Sequence, residues 1–460
     1  DTVNVNGTTI ASTINGGGDT DTLNVTSSSA NMNGGTITGI ELVTLSVSAT
    51  TFTANNLALT ITGSGGADNI TLGGAVQTVN AGAGGDDITL GFAGQTANGE
   101  GDDDRFFATG AQLVTSTING GGHTGGDTLF ITSNSANMNS GSITAIEFVT
   151  LQVSGTTLVA NNLDALVITG SAGGDTITTG DATGTEQTVN AGAGNDSITL
   201  GAAGQTINGE GNDDTVHATG AQLLLATFDG GTHGTGDTLD ITDTSADMNS
   251  ATSIVNFEFV TLSASGTTFT ANGDDTLTVT GSGGADTITV GHEDQIVNAM
   301  GGDDLIVVTD ADFDTNMTIN GGAHTTADTV RIGGPASTVD DDFTNVLGVE
   351  ILQLFHGGGT AQSVTLAAEA EEAGLSSVIS EAAATGAVTV DASAFDNALA
   401  ITTGGGADVI TLGSGANVVV TGAGSDTVNG TLTAGDTIDL GADNDTFDYR
   451  VTALGNVVDG

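Results

Sequence analysis

Cysteine is absent from this 460-residue chain, so no disulfide staples its fold and no thiol can act as nucleophile or metal ligand. Lysine is absent as well. The basic side chains are Arg105, Arg331 and Arg450, set against 56 aspartates and glutamates. The resulting formal charge of −53 excludes nucleic acid and an anionic membrane as partners, because both require a basic surface. Tryptophan is missing and tyrosine occurs once, which leaves little from which to build a sugar-binding cleft. No apolar run reaches the ~18 residues of a membrane-spanning helix, so membrane insertion is not expected. The strings that mark common catalytic centres (GxSxG, HExxH, a P-loop, GxGxxG on a βαβ unit) do not occur, and the chain reads as a non-enzyme. Proline occurs once, at Pro335.

What the chain has instead is glycine, 73 residues of it, arranged around a returning glycine-aspartate turn. The turn appears as GSGGADNIT (63–71), AGAGGDDIT (81–89), SAGGDTI (171–177), AGAGNDSIT (191–199), GSGGADTIT (281–289), TGGGADVIT (403–411) and TGAGSDTVN (421–429). These strings fit the calcium-binding nonapeptide GGxGxDxUx, with U a large apolar residue. The glycines permit a tight turn with positive φ, the aspartate supplies a hard oxygen ligand, and the apolar residue opens a short strand. A chain this acidic repels itself unless something neutralises it, and bound divalent cations would do so. Its 37% apolar content argues for order that is conditional on such a cation.

A longer period overlies the turns. TING or a variant recurs at Thr13, Thr117, Thr227 and Thr318, at intervals of 104, 110 and 91 residues. A second landmark, ANMN or ADMN, starts at Ala30, Ala136 and Ala246. A third starts at Ile40 (IELVTL), Ile146 (IEFVTL), Phe257 (FEFVTL) and Val349 (VEILQL). These divide the chain into four large repeats, 1–116, 117–226, 227–317 and 318–460. Within a repeat the turn aspartates lie 17 to 24 residues apart, the coil length of a parallel β-solenoid. At about 21 residues per coil and a ~4.8 Å rise, the chain should form roughly 22 coils. Ile70, Leu72, Ile88, Leu90, Ile198, Leu200, Ile288 and Val290 alternate with polar residues and should point inward. The first repeat opens inside the repeat unit, aligned with 213–230, so a longer polypeptide is expected. The fourth carries an insertion at about 357–385 with the one convincing helix, AAEAEEAGL (367–375), stopped by Gly374. Arg331 and Pro335 mark this repeat as a boundary or contact module.

The expected metal ligands form stacks: Asp68, Asp86 and Asp103; Asp175, Asp196 and Asp213; Asp286 and Asp303; Asp408, Asp426 and Asp445. Asp21, Asp127, Asp237 and Asp328 precede TL or TV strands and extend them. In the degenerate turns NGEGDDDRF (98–106) and NGEGNDDTV (208–216), the ligand is either Asp103 or Asp104, and either Asp213 or Asp214. His123, His233 and His324 each fall five residues after the Ile or Phe of TING, where the first repeat has Asp19. An Asp/His alternation would suit a softer metal. With no second histidine at ligand spacing, these read as polar loop residues.

These turns resemble those of the RTX family, the hemolysin-type calcium-binding proteins. The wider pattern is similar to large β-strand-repeat surface proteins of Gram-negative bacteria, RTX-type surface-layer proteins among them, most of all over VDASAFDNALAITTGGGADVITLGSGANVVVTGAGSDTV (390–428). The resemblance implies a right-handed parallel β-roll or β-helix, type I secretion with an uncleaved C-terminal signal, and folding triggered by external Ca2+. Ser64, Ala81 and Ala191 replace glycines of the family pattern, and half of each coil lacks it, which implies fewer ions per coil. The expectation is an all-β, extracellular or cell-surface structural protein that assembles with itself into a lattice or filament, with cell-surface polysaccharide as a further partner. Two other readings stand beside it: the stalk of a calcium-dependent adhesin, and the non-catalytic RTX module of a secreted hydrolase.

Overall fold

A computed structural model shows an all-parallel β-solenoid of about 21 turns. It describes residues 1–163, 165–182, 184, 186–273, 277–334, 337–355, 359–381, 385–451 and 457–459. Pro335, His356 and parts of the insertion lie outside these. Two compact units are present. The first comprises 1–217, 224–237 and 252–256; the second comprises 218–223, 238–251 and 257–460.

The nonapeptide sets the geometry of the first unit. Strands Thr60–Thr62, Asn69–Thr71, Thr78–Ala83, Asp87–Thr89, Thr96–Gly101 and Arg105–Ala108 begin nine residues apart, so two strands and two turns close one 18-residue coil. Successive coils pair in parallel on two sheets. Thr60, Thr78, Thr96 and Thr117 stand in one row, and Asn69, Asp87, Arg105 and Thr128 in the other. Alternation then points every second side chain inward. Ile61, Val79, Ala97 and Ile118 face Ile70, Ile88, Phe106 and Leu129 across the interior, and all eight are fully buried. Each such valine, leucine, isoleucine or phenylalanine contributes about 1.5–3 kcal/mol through removal from water. Leu72, Leu90, Ile198, Leu200, Ile288 and Val290 are buried as the alternation requires.

Longer coils absorb their extra residues in a specific device. ANMN forms a short strand, such as Ser29–Asn31, followed by a 3-10 turn, Met32–Gly34. Asn31 caps the turn by accepting the Asn33 N–H at 2.8 Å. Met32 fills the interior, and the Asn33 amide reaches the next coil to donate to the Ala54 carbonyl at 3.0 Å. Asn137, Met138 and Asn139 repeat the arrangement in the same unit. Asp247, Met248 and Asn249 repeat it in the second.

In the second unit the fourth copy has Asp340–Phe343 at this position, with Phe343 buried. Asp340 accepts the N–H groups of Ala367, Glu369 and Ala370 and so caps the inserted helix, Ala368–Ala373. Gly374, at φ 100°, ends it as expected. Two further one-turn helices, Gly110–Leu113 and Gly220–Leu223, differ from the expectation of a single helix; Thr109 and Gln112 form a capping box at the first. Arg331 lies flat in its strand, donating from Nε to Gln353 at 2.8 Å, with its guanidinium 5.6 Å from the Phe355 ring centre.

Candidate metal centre

Where coils carry glycine-aspartate turns, their aspartates stack along one edge. The Asp68 N–H donates to Asp86 Oδ1 at 2.6 Å, Asp86 N–H to Asp104 Oδ1 at 2.7 Å, and Asp104 N–H to Asp127 Oδ1 at 2.7 Å. The ladder closes on a glutamate, with Asp127 N–H donating to Glu147 Oε2 at 2.8 Å. A second ladder runs Asp175, Asp196, Asp214, Asp237. The third runs Asp286, Asp304, Asp328, Glu350, and the fourth Asp408, Asp426, Asp445. Asp21 and Glu41 form one such step by themselves.

One carboxylate oxygen of each rung is thus spent on a backbone amide. The other, Oδ2, is buried without a hydrogen-bond donor on Asp21, Asp86, Asp104, Asp127, Asp196, Asp214, Asp304, Asp328, Asp408 and Asp426. Leaving a buried acceptor bare is costly, and a bare charge more so. The glycines of the turn show what faces these oxygens. A β-carbon added at Gly99 would lie 2.0 Å from Asp104 Oδ2 and 2.5 Å from the Gly120 carbonyl oxygen. At Gly209 it would lie 2.4 Å from Asp214 Oδ2 and 2.2 Å from the Gly230 carbonyl oxygen. Two acceptors converge on one space that only glycine leaves open. Such an all-oxygen donor set fits a hard cation such as calcium.

Electrostatics agrees. Burial, reinforced by the carboxylates above and below, pushes Asp86, Asp104 and Asp196 up to about 7 and Asp214 up to about 8. Asp304 rises to about 6 by the same cause. Asp68, Asp175 and Asp286 head their ladders differently. A serine replaces glycine in each turn, and its N–H donates to the aspartate Oδ2 at 2.6 Å while its hydroxyl donates to Oδ1 at 3.0 Å. Both oxygens of these three are satisfied from within the turn.

Asp103, Asp213 and Asp303 stand off the ladders, and Asp104, Asp214 and Asp304 occupy the rungs. The reason is phase. Asn80 pairs with Asn98, so the residue six beyond Asn98 matches Asp86, and that residue is Asp104. Of the displaced aspartates, Asp103 and Asp303 are exposed and Asp213 is half-buried, and they serve the next loop: Asp103 Oδ1 accepts the N–H groups of Thr124, Gly125 and Gly126 at 2.8, 2.7 and 3.1 Å. Those amides pull Asp103 down to about 2, and Asp213 and Asp303 are lowered by equivalent bonds. The remaining expected ligands, Asp68, Asp86, Asp127, Asp175, Asp196, Asp237, Asp286, Asp328, Asp408 and Asp426, are buried in the ladders. Asp21 is buried in its separate step, and Asp445 is half-buried at the end of its own.

The opposite edge of the coil is neutral. Buried glutamines recur there at the coil period. Gln95 accepts from Gly91 N–H at 2.9 Å and donates from Nε2 to the Gly73 and Ala75 carbonyls at 2.8 and 2.7 Å. Gln77 and Gln187 bridge their neighbouring coils in the same way. An amide supplies donor and acceptor together, so this edge needs no ion. Gln95→Ala should lower stability by about 1–3 kcal/mol, the cost of bare buried polar groups. Urea unfolding should give the same loss with calcium or with chelator; a loss seen in only one condition would contradict the neutrality of this edge.

Comparison with models of known protein families and with curated proteins finds no match to this chain. Fold and site define a parallel β-solenoid in which, coil by coil, buried aspartate rungs lie opposite buried amides.

Proposed function

We propose that this is a secreted calcium-binding structural protein whose solenoid becomes stable when calcium occupies its carboxylate edge. The observation that carries the reading is the row of buried, donor-less Oδ2 atoms facing turn carbonyls. Asp86, Asp104, Asp196, Asp214, Asp304, Asp408 and Asp426 would hold the ions, together with turn carbonyls such as those of Gly120 and Gly230. Asp68, Asp175 and Asp286, already satisfied by serine, would add least. Calcium bound there supplies positive charge and ties adjacent turns to one another. Millimolar extracellular calcium suits sites of this kind, whose affinities fall at ~0.1–1 mM.

The reading extends to assembly at the cell surface as a layer or filament. The charge of −53 would hold copies apart until calcium neutralises it. Electron microscopy of the protein with and without EGTA tests this, with ordered assemblies expected only in calcium. A chain that stays monomeric by light scattering in saturating calcium would contradict assembly and fit an adhesin stalk instead. The proposed role is non-enzymatic.

A further inference from the structure

The ladder that closes on Glu350 carries a second kind of donor. His324 Nδ1 lies 3.5 Å from Asp328 Oδ2 and 3.3 Å from Glu350 Oε2. All three ligand atoms fall within 4.8 Å of one another. Asp328 is fully buried, its Oδ1 is taken by the Asp304 N–H, and its Oδ2 has no hydrogen-bond donor. Glu350 Oε2 accepts the Asp328 N–H at 2.8 Å, which fixes the carboxylate in place and leaves a lone pair free. His324 remains 31% exposed, so the cluster is open to solvent on one side.

Imidazole nitrogen is a poor partner for calcium, which takes oxygen, and a good one for zinc and its neighbours. The spacing suits such an ion. With bonds of roughly 2.1 Å and tetrahedral angles, neighbouring ligand atoms lie about 3.4 Å apart. The two nitrogen-to-oxygen separations match that edge. In the other unit His123, Asp127 and Glu147 hold the same positions, with His123 Nε2 3.2 Å from Glu147 Oε1 and Asp127 Oδ2 again buried without a donor. The first repeat has Asp19 where these have histidine, beside Asp21 and Glu41.

We propose that His324, Asp328 and Glu350 form a binding site for a divalent transition ion of the zinc class, completed by solvent on its exposed side. Ladder interiors and ladder ends would then select different metals, oxygen-only rungs for calcium and the histidine-bearing end for zinc. The proposal stands without the calcium reading, since none of its geometry depends on an ion in the interior rungs.

The test uses the full chain with excess calcium present, titrated with Co2+ as a spectroscopic stand-in for zinc. A visible d–d absorption should grow to saturation, resist further calcium, and be bleached by Zn2+. His324→Asp, which copies the first repeat at an exposed position, should weaken cobalt and zinc binding beyond the roughly 10–100-fold that losing a supporting residue costs. Its circular dichroism in excess calcium should match the parent, which separates this result from any failure of the calcium reading. The inference is overturned if no cobalt band forms, if calcium displaces cobalt, or if His324→Asp leaves binding unchanged. In those cases His324 is an ion-pairing partner of the two carboxylates only.

Discussion

Stripped of calcium at about pH 8, the protein should lose most of its β-sheet circular dichroism, and should recover it either on adding calcium or on acidification to about pH 5. The second recovery is the unusual one and follows from the rungs. Asp304 titrates at about 6, Asp86, Asp104 and Asp196 at about 7, and Asp214 at about 8. An aspartate in the unfolded chain titrates near ~3.9. The folded state therefore holds more protons than the unfolded state throughout that interval. The stability gained is complete below about pH 4 and is lost as the pH rises through about 6 to 8. Most proteins weaken on such acidification because their carboxylates are ion-paired; here the rungs Asp86, Asp104, Asp196, Asp214 and Asp304 are buried beside other carboxylates. Calcium reverses the trend, because it must displace the rung protons, and its apparent affinity should fall as the pH drops through the same window. Dichroism unaffected by excess EGTA at pH 8, or calcium-free stability that rises from about pH 5 to 8, would contradict this.

Asp214→Asn should stabilise the calcium-free protein and abolish one calcium site. The asparagine oxygen can still accept the Asp196 N–H. Its NH2 replaces the bare Oδ2 and points at the space shared with the Gly230 carbonyl, supplying the donor that the native turn lacks. Dispensing with the proton that Asp214 must take up on folding, beside Asp196 and Asp237, should be worth on the order of 2 kcal/mol near neutral pH. The neighbouring change, Asp213→Asn, should do the reverse. Asp213 stands off the ladder and accepts the N–H groups of Gly234, Thr235 and Gly236, so losing its charge loosens that loop and leaves calcium stoichiometry unchanged. Urea unfolding in EGTA and calorimetric stoichiometry in calcium distinguish the two. Equal stoichiometric losses from both variants would mean that the ladder is not the binding edge.

The coil was legible because two signals coincide: glycine-aspartate turns and apolar residues at every second strand position. Ile70, Ile88, Ile198 and Ile288 fall inside for that reason. The rungs were harder. Counting from one aspartate to the next chooses Asp103, Asp213 and Asp303, whereas the backbone keeps phase by its strands. Counting from Asn80 to Asn98 gives Asp104. The buried amides stand in the sequence as Gln77 and Gln95, and as Gln187 and Gln205, each pair 18 residues apart, but an uncharged residue announces no chemistry. Thr109 and Gln112 likewise spell a capping box. The histidine cluster could not be found from local spacing. Its glutamate comes from the following coil, 26 residues beyond His324, and only stacking brings the two together.

A crystal structure grown in calcium tests the central claim most directly. Ions should appear between Asp104 Oδ2 and the Gly120 carbonyl, between Asp214 Oδ2 and the Gly230 carbonyl, and at the equivalent rungs, with none at Asp103 or Asp213. Rungs that remain free of ions in saturating calcium, or calcium bound at Asp103 or Asp213 instead, would contradict it.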